Sequence, residues 1–314
     1  MRRAPEVVIN VKGSRRSRDD DHTAIAGVLR YMMYISRNGQ LPVFDERDDR
    51  IQGRDAVRDV HASWDLDMQR MRGTRDEGLH PSFNMIFSMP AKTDPDRMLD
   101  AVMAFAQEHF KGHQYVMAVH THETDPASDA PAHPHVHLVV RAEDENGLRM
   151  HVRKSELRAW REDFAAQLRS RGIEANATSR AERGRSFKAL RGAEWHIQKR
   201  YEGDRKAGRS TRPPKARAAR FRDAAEELVK GHAVAKPWEV AMAARRRDVL
   251  RELEQNAARL RAEGSIGLAE EVEQFIQDMP PVDSERRKIQ RALIEQVKLR
   301  PREHEQDRPD EHSR

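Results

Sequence analysis

Two runs decide the fold class: Tyr115-Val116-Met117-Ala118-Val119-His120-Thr121-His122 and, after a loop rich in Asp, Pro and Ala, His135-Val136-His137-Leu138-Val139-Val140-Arg141. Each reads as a strand, and neighbouring strands joined by a loop pair antiparallel. Upstream, Val7, Val8, Ile9 and Val11 form a strand ended by Gly13. Ile25, Val28, Leu29, Met32 and Ile35 then repeat at helical spacing, with Asn38-Gly39 as the stop. A short helix is expected over Ala56–Trp64 and a strand over Phe83–Met89. Asp94-Pro95 opens a helix with an inward stripe of Leu99, Val102, Met103, Ala106 and Phe110. Downstream, a third short strand is expected over Arg149–Val152. Ser155 opens a helix with Leu157, Trp160, Phe164 and Leu168 on one face, closed by Gly172. This order predicts an α+β fold, a central antiparallel sheet with flanking helices, rather than a doubly wound sheet.

Beyond Lys188 strand signals vanish, and Ala, Arg, Glu and Leu dominate long helical stretches. The expected organisation is a first domain over 1–190, a helical region over 191–300 with a linker at 203–215, and a polar, disordered tail over 301–314. The 314 residues carry 58 Lys and Arg against 52 Asp and Glu, an excess of six, with runs such as Arg15, Arg16, Arg18 and Arg245, Arg246, Arg247. A basic excess suits a polyanion, nucleic acid first, or simply a solvated surface. The chain has no cysteine, so any metal must be held by His, Asp or Glu. No apolar run reaches the ~18 residues of a membrane span, and Met1-Arg2-Arg3-Ala4-Pro5 lacks a secretory leader, so a cytoplasmic protein without membrane insertion is expected.

The histidines carry the chemistry. Alternate residues of a strand share a face, so His120 and His122 project to one side of their strand, and His133, His135 and His137 to one side of theirs. Two ligands from one strand and one from its neighbour make a three-cornered platform that leaves positions open for a substrate oxygen. His120, His135 and His137 are the chosen set, with the third place open between His120 and His122. His133 reads as a spacer before Pro134 or, with His122 and Glu123, as an auxiliary ligand or orienting group. The cofactor expected is a divalent ion, Mn²⁺ or Mg²⁺, with imidazole favouring Mn²⁺ and softer ions.

Tyr34 lies roughly opposite the apolar stripe of the first helix, and Tyr31 to its side, a candidate second tyrosine. A phenol is a poor nucleophile at its ordinary pKa of ~10, yet once deprotonated it can attack a phosphodiester and keep the bond energy as an ester.

Tyr34-Ile35-Ser36-Arg37-Asn38-Gly39, Phe87-Ser88-Met89-Pro90 with Thr93-Asp94, His135-Val136-His137 and Ala177-Thr178-Ser179-Arg180-Ala181-Glu182-Arg183-Gly184 occur in this order. The series resembles the relaxase domain of mobilisation proteins and of the T-DNA border endonuclease of plant-transforming plasmids, over roughly residues 5–190. The resemblance implies Tyr34 as nucleophile, His120, His135 and His137 as metal ligands, and Ser88 as a strand-end serine that contacts DNA near the nick. Arg37, Arg180 and Arg183 are the cations expected to meet DNA, with a structural ion pair for Glu182 as the rival reading of the last motif. It also implies single-stranded transfer-origin DNA as substrate, relaxosome accessory proteins and a secretion coupling protein as partners, and passage with the DNA into a recipient cell. One departure concerns spacing: His120 precedes His135 by 15 positions, a longer hairpin loop than in close relatives, and His122 stands where the family often has Asp. The rivals are a rolling-circle replication initiator, a His-ligated hydrolase and an inactive DNA-binding module. Past residue 190, Arg200, Arg205, Lys206, Arg209, Arg212 and Lys215 fit either DNA, an acidic partner or a solvated linker.

Overall fold

The computed structural model describes residues 4–14, 21–67, 79–124, 133–185, 192–231 and 234–298. It falls into two compact units, Met1–Thr178 and Ser179–Arg314. The first contains strands β1 (Val8–Gly13), β2 (Val43–Asp45), β3 (Arg50–Ile51), β4 (Ser82–Ser88), β5 (Tyr115–His120) and β6 (His135–Arg141). Its helices are α1 (Asp21–Ile35), α2 (Arg54–Ser63), α3 (Pro95–His109) and α4 (Lys154–Ser170). The strands form one antiparallel sheet in the order β1-β4-β6-β5-β2-β3. The α+β reading therefore holds.

Each face of the sheet is sealed by helices. On one face Phe87 of β4 and Leu138 of β6 pack beneath Phe105 of α3 and Phe164 of α4. Those aromatic pairs meet edge-on, with centroids 5.0 and 5.1 Å from Phe87, the arrangement that their quadrupoles favour. Helix α3 starts where expected because the Asp94 side chain accepts from the backbone N–H groups of Asp96 and Arg97, while Pro95 has no N–H to satisfy. On the other face Val28, Met32 and Ile35 of α1 and Val57 of α2 cover Val116, Ala118 and Val139. Because β6 is buried on both faces, its alternation in the sequence is between two cores rather than between core and solvent.

Several expectations shift. Strand β5 ends at His120, so His122 lies in the following turn. The chain over Arg149–Val152 forms no strand: Arg149 makes one isolated bridge to Glu143. Strands β2 and β3, three and two residues long, were not expected at all. They are too short to show a period and form because Asp45 organises the bend between them, accepting from the N–H groups of Arg47 and Asp49. Residues 125–132 of the β5–β6 loop, Arg15, Arg16, Arg18 and the 301–314 tail lie outside the described residues.

The second unit is helical in its described residues: α5 (Gly192–Lys206), α6 (Lys215–Val229), α7 (Pro237–Ala262), α8 (Ile266–Gln277) and α9 (Glu285–Lys298). Within 203–215, α5 continues to Lys206 and residues 209–214 are irregular. No helix among the described residues is long and apolar enough to cross a membrane.

Candidate active site

The register of the sheet builds the site. Directly opposed residues of antiparallel strands share a face. His120 opposes His135 across β5 and β6, and Ser88 of β4 opposes His135 from the other side. His137 lies two residues further along β6, on the same face. All three imidazoles are buried, and one ring nitrogen from each lies within 4.8 Å of those of the others. His122 and Glu123 are exposed in the turn after β5 and do not join this group; neither does His133, half-buried before Pro134. Ser88 is half-buried beside His135.

Hydrogen bonds fix which nitrogen of each ring points inward. His120 Nε2 donates to the Ile35 carbonyl at 2.7 Å, and His135 Nδ1 donates to the His133 carbonyl at 3.3 Å. His137 Nδ1 lies 2.9 Å from the Tyr31 hydroxyl, and its Nε2 is buried without a hydrogen-bond partner. Were the phenol the donor, Nε2 would carry a buried proton with no acceptor, a costly state. The consistent tautomer has Nδ1–H donating to Tyr31, which turns the Nε2 lone pair toward the other two rings. Each ring thus has one nitrogen held by the protein and a lone pair on the other, a donor set that fits a divalent cation, although the His120 Nδ1 lone pair here accepts from Arg37 and would have to be released to a bound ion. Burial, then the neighbouring His120, His135 and Arg37, push the His137 pKa down to about 2, so this imidazole stays neutral and able to ligate.

Helix α1 brings both tyrosines to the same face of the sheet. Tyr31 is half-buried, and burial, followed by the adjacent Tyr34, lifts its phenol well above the ordinary range. Tyr34 is 48% exposed. Its ring lies 5.6 Å from His137, 6.1 Å from His120 and 5.8 Å from Tyr31, centroid to centroid. The exposed phenol thus stands beside the imidazole cluster while the buried one supports it from behind.

Arg37 is placed by the end of α1. Arg37, Asn38 and Gly39 adopt successive left-handed conformations, φ 51°, 56° and 84°. The turn is held by the buried Ser36 hydroxyl, which accepts from the Gly39 N–H. A Cβ at Gly39 would come within 2.4 Å of the Gly53 and Arg54 backbone, so only glycine fits there. Two non-glycine residues in left-handed space are strained, a condition that the surrounding packing must sustain. The result is an arginine folded back over the site: its guanidinium is 5.1 Å from the Tyr34 ring, and Nη2 donates to His120 Nδ1 at 3.3 Å.

The Ala177–Gly184 motif straddles the two units. Thr178 binds Glu6 in the first through its backbone N–H and hydroxyl. In the second, Ser179 and Glu182 cap one another, side chain to backbone in both directions. Gly184 adopts φ 69°, with Arg246 and Met279 packed close against the place of its missing side chain. Arg180 is exposed and Arg183 half-buried in this turn.

Residues 34–172 match the family described as "Relaxase: MobA/VirD2-like, nuclease domain". Over this segment the chain is similar to a family of relaxase nuclease domains. The match begins at Tyr34 and takes in all three clustered histidines. A solved structure from work on the molecular basis of vancomycin resistance transfer in Staphylococcus aureus is 13% identical, with 55% of this chain and 99% of that one covered and a TM-score of 0.34. That likeness is too loose to bear on function. No curated protein sequence matches the chain significantly.

Sequence reasoning named most of the clustered groups but missed how Tyr31 and Arg37 serve them. Tyr31 had a signal: it lies three residues before Tyr34, on the same side of a helix. Arg37 had none, because its direction depends on a left-handed turn.

Proposed function

We propose that the chain is a conjugative relaxase that nicks one DNA strand at a transfer origin by tyrosine transesterification. The observation that carries this is the exposed Tyr34 phenol beside three buried imidazoles whose inward nitrogens converge. Tyr34 Oη attacks the scissile phosphorus and loses its proton. The P–O3′ bond breaks, the departing O3′ gains a proton, and the 5′ end remains on the protein as a phosphotyrosyl ester. Attack by a 3′-hydroxyl on that ester reverses the step and rejoins the strand without external energy.

His120, His135 and His137 would hold the divalent ion, Mn²⁺ or Mg²⁺. When bound, that ion neutralises charge developing on the non-bridging phosphate oxygens. Tyr31 acts as a positioning residue that fixes the tautomer and orientation of His137. Arg37, over the Tyr34 ring, offers donors to the phosphate as charge builds on it, and Ser88, at the end of β4, contacts the strand near the nick. Arg180 and Arg183 contribute phosphate contacts. Relaxosome proteins and a coupling protein are the partners this role requires, and passage into the recipient with the attached strand follows from the covalent link.

The test is a denaturing gel of the purified chain with Mn²⁺ and single-stranded oligonucleotides tiled across the DNA that flanks its gene. A slow-migrating covalent adduct, absent in Tyr34→Phe and with chelator, is expected. Cleavage that survives in Tyr34→Phe removes this residue as nucleophile, and cleaved product without any adduct points instead to a hydrolase.

A further inference from the structure

Residues 194–222 carry ten Lys and Arg against three Asp and Glu. The three acids are all engaged. Glu194 pairs with Arg220 at 2.7 Å, Asp204 with Arg209 at 2.6 Å, and Glu202 accepts from Gln198 at 2.5 Å. Lys199, Arg200, Arg205, Lys206, Arg212 and Lys215 are exposed and form no ion pair among the described residues. They line α5, the irregular 209–214 segment and the first residue of α6.

On the same helix Trp195 is 44% exposed. Lys199 Nζ lies 4.7 Å from its ring, and the His196 ring packs edge-on at 4.9 Å. Trp195, Lys199 and Lys206 share one side of α5, with spacings of about 6 and 10 Å along the axis. Glu202, also on that side, is the one held by Gln198. An exposed indole braced by cations in a basic segment has a specific use. Bases of an unpaired strand can stack on the ring while its phosphates meet the cations. In a duplex the same bases are already stacked on one another, so the indole would find no partner.

We infer that α5 and the segment leading into α6 form a second binding surface for single-stranded DNA, separate from the residues that would nick it. DNA as the polyanion rests on the proposed function above; the surface itself rests on its charge and its tryptophan. Such a surface would retain a displaced strand without regard to sequence.

The experiment uses the full chain in chelator, titrated with an oligothymidine of about 16 nucleotides, which contains no transfer origin. Trp64 and Trp160 are buried, so emission changes report on Trp195 or on Trp238, itself 56% exposed. Quenching by the oligothymidine is expected in the native chain and in Trp238→Phe, and its loss in Trp195→Phe. Joint replacement of Lys199, Arg200, Arg205 and Lys206 by Glu should weaken binding at least tenfold. It should also flatten the dependence of log K on log salt by ~0.7 for each phosphate that is no longer neutralised. Unchanged helicity by circular dichroism validates that variant; if it unfolds, Trp195→Phe alone decides. Quenching that persists in Trp195→Phe, or unchanged affinity and salt slope after charge reversal, overturns the inference. Quenching by polyglutamate but not by oligothymidine also overturns it, and assigns the surface to an acidic protein. Because oligothymidine binding needs no nick, its presence without adduct formation on origin DNA would sink the transesterase reading alone.

Discussion

The two units reach stability by different routes. In the first, large side chains dominate the interior: Phe87, Phe105, Phe110 and Phe164 are essentially fully buried, and the sheet is covered on both faces. In the second, the buried apolar residues among those described are Ala224, Val249, Ala257, Ala269 and Ile289, mostly small. There, charged groups take up much of the joining. Arg286 pairs with both Glu227 and Glu239, Lys236 reaches Glu227 at 3.0 Å, and Asp283 pairs with Arg291. Burial alone would raise the Glu239 carboxyl, but hydrogen bonds from Arg286, Ser284 and the Lys236 backbone hold it down to about 2. A hydrophobic interior fixes backbone positions closely, as a site of converging nitrogens requires. Helices joined by small residues and ion pairs fix less and depend more on solution conditions.

The largest effect that would expose this contrast is in the first unit. Phe164→Ala should cost about 3–5 kcal/mol, the usual penalty for emptying a buried aromatic site. A calorimetric scan of the full chain should show a lowered transition for the sheet unit and none for the helical one. A scan in which both fall together would show that the units unfold as one.

Next comes the buried phenol. Tyr31→Phe keeps the ring but removes the oxygen that accepts from His137 Nδ1. We expect about 10- to 100-fold weaker Mn²⁺ binding by titration calorimetry, with circular dichroism unchanged. Undiminished affinity would relegate Tyr31 to packing.

Acid provides a third effect, a modest one over the first pH unit below 6.5. His137 stays neutral in the folded chain down to about 2, whereas in the unfolded chain it takes up a proton near 6.5. The unfolded state therefore binds more protons between those values, and stability is full above 6.5 and falls as pH drops below it. The slope from this group is about 1.4 kcal/mol per pH unit. Denaturant melts in chelator should lose this acid slope in His137→Asn, and its persistence there would place the effect elsewhere.

The smallest effect falls on the helical unit. Arg286→Ala removes the cation that Glu227 and Glu239 share, leaving Lys236 on the first and Arg287 on the second. The transition of that unit should fall by several degrees, and by less in high salt, where the native pairs are already screened. A salt-independent loss would mean that the side chain acts through packing.

Much of the first unit was legible from short-range pattern. The apolar stripe of α1, the Asp94-Pro95 cap and the alternation of β6 are local features, and each produced its element. The stripe read for α3 missed Met98 and Phe105, both fully buried. That helix is gripped by two layers, sheet and α4, so its buried face is wider than one stripe. In the second unit the helices were expected, but which polar groups lock them was not. Arg286 meets its carboxylates 47 and 59 positions away, beyond any sequence window.

By itself, then, the sequence determined the α+β class, the HxH pair on one face of a strand and the tyrosine off the apolar stripe, because side-chain direction follows from the period of an element. Only the tertiary structure decided that His120 rather than His122 joins the cluster, that Tyr31 backs His137, and that Arg37 folds over Tyr34. Those outcomes depend on strand register across a long loop, on the packing of α1 against the sheet and on a left-handed turn, and none of the three is a property of neighbouring residues alone.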